Sequence, residues 1–197
     1  MRPWGSICSP ELLGGPGSVG CRVVRAAARL VDHRYVVRRR GRGELRAGGV
    51  CAAPTDAKVP APADIAARLG IDEGEPCVRT AYEFLADGRP VQLSTSWEPY
   101  DLTAGTLVVL PEGGPHAGAG VVNRMAAIGI TISHAVEQPE PRTATAEEAS
   151  LLGIQKAALV THIRRTYYSD DGRPVETADI VVPVAHCEIV YEIPINR

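Results

Sequence analysis

The 197-residue chain lacks the cysteine pairs, long apolar runs and metal-ligand clusters that mark several common classes of protein. Its five cysteines, at positions 8, 21, 51, 77 and 187, never occur as C-x-x-C or C-x-C. This spacing argues against a zinc site and against a secreted disulfide framework, so we expect reduced thiols. No segment is apolar for long enough to form a signal peptide or a membrane helix, which predicts a soluble cytoplasmic protein.

Sequence motifs for catalysis and for the common cofactors are also missing. The Gly-rich stretches at 14–20 and 113–120 lack the Lys-Ser or Lys-Thr of a P-loop, and no G-x-G-x-x-G follows a strand. No serine lies in G-x-S-x-G, and the five histidines are scattered without metal-ligand spacing. These absences predict a protein that is not an enzyme and that uses no cofactor and no metal.

Charge is present, but it is divided unevenly along the chain. Residues 1–50 have a net charge of +7, and the remaining residues have a net charge of −9. This asymmetry fits a basic arm that faces nucleic acid on an acidic body, and it fits a disordered basic tail equally well. Residues 47–60, rich in Gly, Ala and Pro, are predicted to form an extended linker after this basic segment.

Comparison of the chain with itself shows two copies of one unit. The segment ADIAARLGI at 63–71 resembles AEEASLLGI at 146–154, and the pentapeptide DGRPV occurs at 87–91 and again at 171–175. The offset is 83 residues for the first pair and 84 for the second. One residue inserted in the second copy accounts for the difference.

Each copy predicts a short helix, a strand, a tight turn and a second strand. Gly70 and Gly153 are placed to end the helices, and Thr145 with Glu148 gives the T-x-x-E capping box of the second helix. Asp-Gly in each pentapeptide is typical of a hairpin turn, and strands joined by a hairpin are antiparallel. The predicted strands are 77–86, 91–97, 130–136, 158–169, 175–182 and 188–195, with a further helix at 120–128.

These elements predict an α+β domain with a largely antiparallel, six-stranded sheet and helices on one face. The two similar units would face each other across a cleft, which is a common place for a small ligand.

The order and spacing of four segments resemble the UTRA effector-binding domain of GntR-family transcription regulators, HutC subfamily. The segments are DGRPVQLSTSWEPYDL (87–102), NRMAAIGITISHAVEQPEPRTATAEEASLLGI (123–154), RRTYYSDDGRPVETADIVVP (164–183) and IVYEIPI (189–195). The resemblance implies a chorismate-lyase-like UTRA domain at 61–197. It further implies a homodimeric regulator of the repressor type that binds operator DNA and a small-molecule effector.

Residues 17–47 resemble the end of a GntR winged helix–turn–helix, with a recognition helix near 19–31 and a wing tip at 40–43. The two helices that should precede this segment are missing, so residues 1–46 are expected to form a partial, poorly ordered winged helix–turn–helix. Either the true start lies upstream, or the DNA-binding half has been lost. The candidate contacts to phosphates and base edges are Arg22, Arg25, Arg29, Arg38, Arg39, Arg40 and Arg42.

In the family, the effector lies in the cleft lined by the strands around the two hairpins. By position, the resemblance implies that the residues contacting it are Ser94, Ser96, Arg165, Tyr167 and Glu176. Arg165 could pair with a carboxylate, and Glu176 could accept hydrogen bonds from hydroxyls or from an amine. An ordinary structural role stays open for each of the three larger side chains, as a surface ion pair or as half-buried packing.

One departure from the family pattern bears on the effector. Family members that bind sugar phosphates often have Arg-x-Arg shortly before the first turn, where this chain has Tyr82 and Phe84. The missing guanidinium groups favour a less charged, more apolar effector over a phosphorylated one. Two other functions stay open: a stand-alone effector-binding and dimerisation module without DNA binding, and a chorismate-lyase-like enzyme suggested by fold analogy alone.

Overall fold

The computed structural model describes residues 34–39, 47–52, 55–86, 88–185 and 187–192. Within these ranges lie nine β-strands and four α-helices. The strands are β1 (Arg34–Arg39), β2 (Ala47–Ala52), β3 (Asp56–Pro60), β4 (Pro76–Ala86), β5 (Arg89–Pro99), β6 (Ile132–Thr143), β7 (Leu159–Ser169), β8 (Pro174–Pro183) and β9 (Cys187–Glu192). The helices are α1 (Ala63–Leu69), α2 (Tyr100–Thr103), α3 (Gly120–Ala127) and α4 (Ala146–Leu152). None of the described helices is long and apolar enough to cross a membrane.

The main sheet is antiparallel throughout, with its strands in the order β2-β4-β5-β8-β7-β6 and with β3 also paired to β4. This confirms the predicted α+β fold with a six-stranded antiparallel sheet. The sixth position is shared by β2 and β3, which pair with different parts of β4, so seven strands occupy six positions. Both strands come from residues 47–60, where the sequence predicts a linker. An edge strand pairs on one side only, so it tolerates the glycines and prolines of this segment. The last strand, β9, pairs with β1 in a separate two-stranded sheet.

The two copies of the repeat are related by a pseudo-two-fold axis at the centre of the sheet. β5 and β8 pair with Thr95 opposite Asp179, and these residues are separated by the repeat offset. A residue that pairs with its own counterpart lies on the axis. The register shifts at equivalent points of the two hairpins, after Phe84 and after Tyr167. The inserted residue lies in the second turn, since Ala86 pairs with Arg89 across two residues, whereas the Ser169 amide bonds to the Arg173 carbonyl across three.

Helices α1 and α4 end in the same way, as the repeat predicts. Gly70 and Gly153 follow them in the left-handed conformation, with φ of 64° and 63°, which favours glycine. The predicted capping box of α4 is present, because the Thr145 side chain accepts from the Glu148 amide and the Glu148 carboxylate accepts from the Thr145 amide.

Side chains alternate between the two faces of the sheet, and the two faces are covered differently. Leu93 and Trp97 of β5 pack with α4 and α1 respectively, so we call their side the helix face. Ser94, Ser96 and Glu98 point to the opposite side, which we call the site face. The predicted placement of helices on one face holds for α1 and α4, whereas α3 lies over the site face.

Candidate functional site

The five residues predicted to bind an effector lie on the site face, in three neighbouring rows of the central strands. Glu176 of β8 is opposite Tyr167 of β7. In the next row Ala178 separates Ser96 of β5 from Arg165 of β7, and Ser94 lies one row further along β5. The sheet register therefore brings the predicted residues of both copies together on one surface. Their role in binding stays a prediction.

An ion pair that sequence reasoning missed lies beside them. Arg124 of α3 donates to both carboxylate oxygens of Glu98, at 2.6 and 2.8 Å, and its Nη2 also donates to the carbonyl of Val108 at 2.6 Å. The two side chains are 2% and 1% exposed. This pair fixes α3 and the segment before it against the sheet. The alternation of Ser94, Ser96 and Glu98 could have identified the acid, but no sequence signal identifies Arg124.

Glu176 is the second buried acid of the site face, at 6% exposure. Among the described residues its carboxylate makes no hydrogen bond. Burial, together with the negative charge of Glu98, raises the pKa of Glu176 to about 7, and the positive charges of Arg165 and Arg124 offset this only in part. A positively charged or hydrogen-bond-donating group placed beside Glu176 would therefore stabilise its ionised form.

Tyr82 of β4 lies on the same face, directly opposite Ser94. Burial and the nearby charges of Glu112, Glu176 and Glu98 raise the pKa of Tyr82 far above its ordinary value. Tyr82 is thus a neutral hydroxyl at any physiological pH. It can donate or accept a hydrogen bond in this acidic surrounding.

Arg165 is held on the β6 side of this surface. Its guanidinium lies 4.9 Å from the centre of the Tyr167 ring. Its Nη1 is 3.9 Å from Oε1 of Glu137, which is opposite Arg165 on β6. Burial raises the pKa of Tyr167, against the opposing effect of Arg165. The stacked ring and the facing acid fix the direction of the guanidinium.

The site face is covered by α3 and by residues 104–119, on which Leu107 and Leu110 are exposed. A shallow cavity of about 130 Å³ lies near the β7–β8 turn, where Leu102, Ile130 and Arg173 contribute to its lining. It is smaller than the roughly 300–1,000 Å³ of ordinary ligand pockets. None of the five residues predicted to bind the effector lines this cavity. Because Glu176 is 6% exposed, a ligand of more than a few atoms would reach it only if the covering segment shifted.

The predicted DNA-binding arginines are only partly within the described residues. Arg22, Arg25, Arg29, Arg40 and Arg42 lie outside them. Arg38 and Arg39 are in β1, opposite Glu188 and Cys187 of β9. The predicted wing would pair β1 with the chain just after it, whereas β2 pairs with β4. A DNA-binding role for the seven arginines stays a prediction.

Among the described residues, no group of three or more His, Cys, Asp or Glu side chains is placed to hold a metal ion.

Comparison with known proteins gives consistent matches. Residues 56–186 match the family model of the UTRA domain. The HTH-type transcriptional repressor NagR of Bacillus subtilis is 34% identical over 119 residues, which cover 60% of this chain and 46% of NagR. An uncharacterized HTH-type transcriptional regulator of Streptomyces coelicolor is 32% identical over 124 residues, covering 63% of this chain and 46% of that protein. The chain thus spans about half the length of the curated relatives it matches.

Among solved structures, one assigned to a GntR-family transcriptional regulator has a TM-score of 0.69 and 38% sequence identity. The match covers 84% of this chain and 61% of that chain.

Proposed function

The chain belongs to the UTRA domain family, and from that membership we propose that it is a GntR-type transcription regulator of the HutC subfamily that senses a small-molecule effector on its site face. The observation that carries the proposal is Glu176, a buried carboxylate without a hydrogen-bond partner among the described residues, at the point where the two copies of the repeat meet. Acids whose pKa is perturbed by burial and by a neighbouring charge concentrate at ligand and catalytic sites.

The remaining parts of the proposed effector site follow from the same surface. Ser94 and Ser96 supply hydroxyls from β5, and Arg165 with Tyr167 closes the opposite side. Tyr82, in the position where sugar-phosphate-binding relatives carry a guanidinium, favours an effector without a phosphate. The buried pair of Glu98 with Arg124 holds α3 over these groups and would transmit a shift of the cover to the sheet.

The proposed output is operator binding by a homodimer, with repression as the mode of action. The arginine-rich segment at 17–46 supports DNA contact, because nine of the chain's basic residues lie within it. The two curated relatives described above are named as an HTH-type transcriptional regulator and an HTH-type transcriptional repressor.

A second candidate is a stand-alone effector-binding and dimerisation module. The pairing of β1 with β9 supports it, since the segment assigned to the wing is then tied to the end of the effector domain. The enzyme alternative has only fold analogy behind it, and the matched relatives are named as regulators.

The test is fluorescence anisotropy of the full chain on DNA from upstream of its own gene, over a series of salt concentrations, with scrambled DNA as the control. The regulator predicts sequence-selective binding that weakens steeply with salt. An Arg38→Gln/Arg39→Gln variant should bind both DNAs more weakly and with a smaller salt slope. Equal, weak binding to both DNAs would contradict the regulator and support the stand-alone module.

A further inference from the structure

Resting on the proposed effector role of the site face, we propose that the effector carries a protonated amine and that Glu176 binds this ammonium group. The inference concerns the chemical class of the ligand, and it follows from the balance of charges on the site face.

The positive side chains of this surface already have acidic neighbours. Arg124 is paired with both oxygens of Glu98 and with a backbone carbonyl. Arg165 faces Glu137 at 3.9 Å. Glu176 is the buried acid for which no described residue provides a hydrogen bond. Because the Glu176 side chain is 6% exposed and lies beside the negative charge of Glu98, a cationic group is the ligand chemistry that would stabilise its ionised form most.

The repeat supplies an internal comparison. At the offset of 84 residues, the counterpart of Glu176 is Gln92, which is 3% exposed and also points to the site face. The counterpart of Glu98 is Val182, which is 1% exposed. The same backbone positions are therefore filled by a neutral amide and by an apolar side chain in the other copy. Glu98 is accounted for by its pairing with Arg124, whereas the fold does not need an acid at the position of Glu176, so the acid there points to a ligand.

An anionic group fits the same place poorly. A phosphate beside Glu176 would also lie near Glu98 and within the field of Glu112, which acts on the adjoining Tyr82. Negative side chains close to a bound phosphate repel it and so disfavour the binding of an anion. The hydroxyls of Tyr82 and Ser94 can instead bind hydroxyl groups of an aminated, polar molecule.

The test uses matched pairs of small molecules that differ by one amine: glucosamine with glucose, and putrescine with 1,4-butanediol, together with glucose 6-phosphate as an anionic probe. Thermal unfolding of the full chain is followed at mildly alkaline pH with each probe at millimolar concentration. At least one amine should raise the Tm while its neutral counterpart does not. Its affinity should fall at least about tenfold in Glu176→Gln.

Glu83→Gln is the matched control. Glu83 is a partly buried acid of the neighbouring strand β4 whose side chain points to the helix face, so the amine should bind this variant as it binds the wild type. The unfolding curve of Glu176→Gln itself shows that the variant is folded.

Stabilisation by no amine of the panel, equal stabilisation by a neutral counterpart, or full binding by Glu176→Gln would each overturn the inference. Stabilisation by glucose 6-phosphate alone would overturn it while leaving the proposed effector site intact. The DNA-binding experiment tests the regulator independently of all these outcomes.

Discussion

Each face of the central sheet carries one acid of β8, partly exposed on the helix face and buried on the site face, and the two acids differ in their partners. On the helix face, Asp179 accepts from Nη2 of Arg68 at 2.7 Å, and its other oxygen lies 2.8 Å from Nε2 of His162. Burial opposes ionisation of Asp179, but these two partners lower its pKa. On the site face, the pKa of Glu176 is raised. The acid with partners ties a helix to the sheet, whereas the acid without them is the one that we propose binds a ligand.

The largest effect should come from breaking the buried pair of the site face. Arg124→Met leaves the Glu98 carboxylate buried without its partner, and should lower the free energy of unfolding by about 3–5 kcal/mol. Urea denaturation of the purified chain measures this loss. In the double variant Arg124→Met/Glu98→Leu, two apolar side chains replace the pair, and much of the stability should return. If Arg124→Met were as stable as the wild type, the ion pair between Arg124 and Glu98 would not be what holds α3 against the sheet.

The next effect is a pH dependence that belongs to Glu176. Its raised pKa means that the folded chain binds this proton more tightly than the unfolded chain, so wild-type stability should fall between the ordinary pKa of 4.5 and about 7. A shift of this size corresponds to about 3 kcal/mol. Glu98, Arg124, Tyr82 and Arg165 face the same carboxyl group.

Glu176→Gln removes the titrating group and should abolish this fall, so that the variant becomes more stable than the wild type above neutral pH. Urea denaturation at a series of pH values checks this, with Glu83→Gln as the control that keeps the wild-type slope. Parallel curves for the wild type and Glu176→Gln would contradict the burial of an ionisable carboxylate at this position.

On the helix face the corresponding variant should be destabilising. Asp179→Asn removes the charge that Arg68 and His162 contact, and should cost about 1–2 kcal/mol, because the side chain is partly exposed. The lowered pKa of Asp179 means that its contribution is present above the ordinary value of 3.8 and is lost as the pH falls. Urea denaturation should therefore show a difference in stability between the wild type and Asp179→Asn at neutral pH, and a smaller difference at acidic pH. Effector binding should be unchanged, and a loss of binding would break the distinction between the faces.

The smallest effect concerns the ends of the two helices on the helix face. Thr145→Ala removes the capping box of α4 and should lower stability by about 1 kcal/mol. In α1 the equivalent position, Pro62, makes no side-chain cap. Pro62→Ala should therefore change the free energy of unfolding less than Thr145→Ala does. Thermal denaturation of the two variants side by side decides the order.

Much of the fold could be predicted because the chain repeats itself. Each DGRPV predicts a hairpin, and Gly70 and Gly153 predict the ends of two helices, which the structure confirms. The partner of β9 could not be predicted, since alternating apolar residues indicate a strand without identifying the strand it pairs with. The edge strands at 47–60 were missed for a similar reason, because their composition is typical of a linker.

The site was predictable only where the sheet register defines it. Alternation along β5 and β8 places Ser94, Ser96 and Glu176 on one face once the hairpins are known. The contact of Arg124 with Glu98 depends on how residues 100–130 fold back over the sheet, and no local pattern encodes that path. Burial was equally hidden, so the raised pKa of Glu176 could not be foreseen from its neighbours in sequence.

Each helix of the repeat lies partly over the other copy: α1 packs against β8, and α4 packs against β5. A polypeptide with only the first unit would leave its helix without half of its packing partners, and the same holds for the second unit. Such a half-length chain could complete its core only by associating with another copy of itself. The present chain is in that sense a symmetric dimer joined by a covalent tether. Its two halves should therefore melt together in a single cooperative transition, and fragments divided near residue 119 should acquire structure only when mixed.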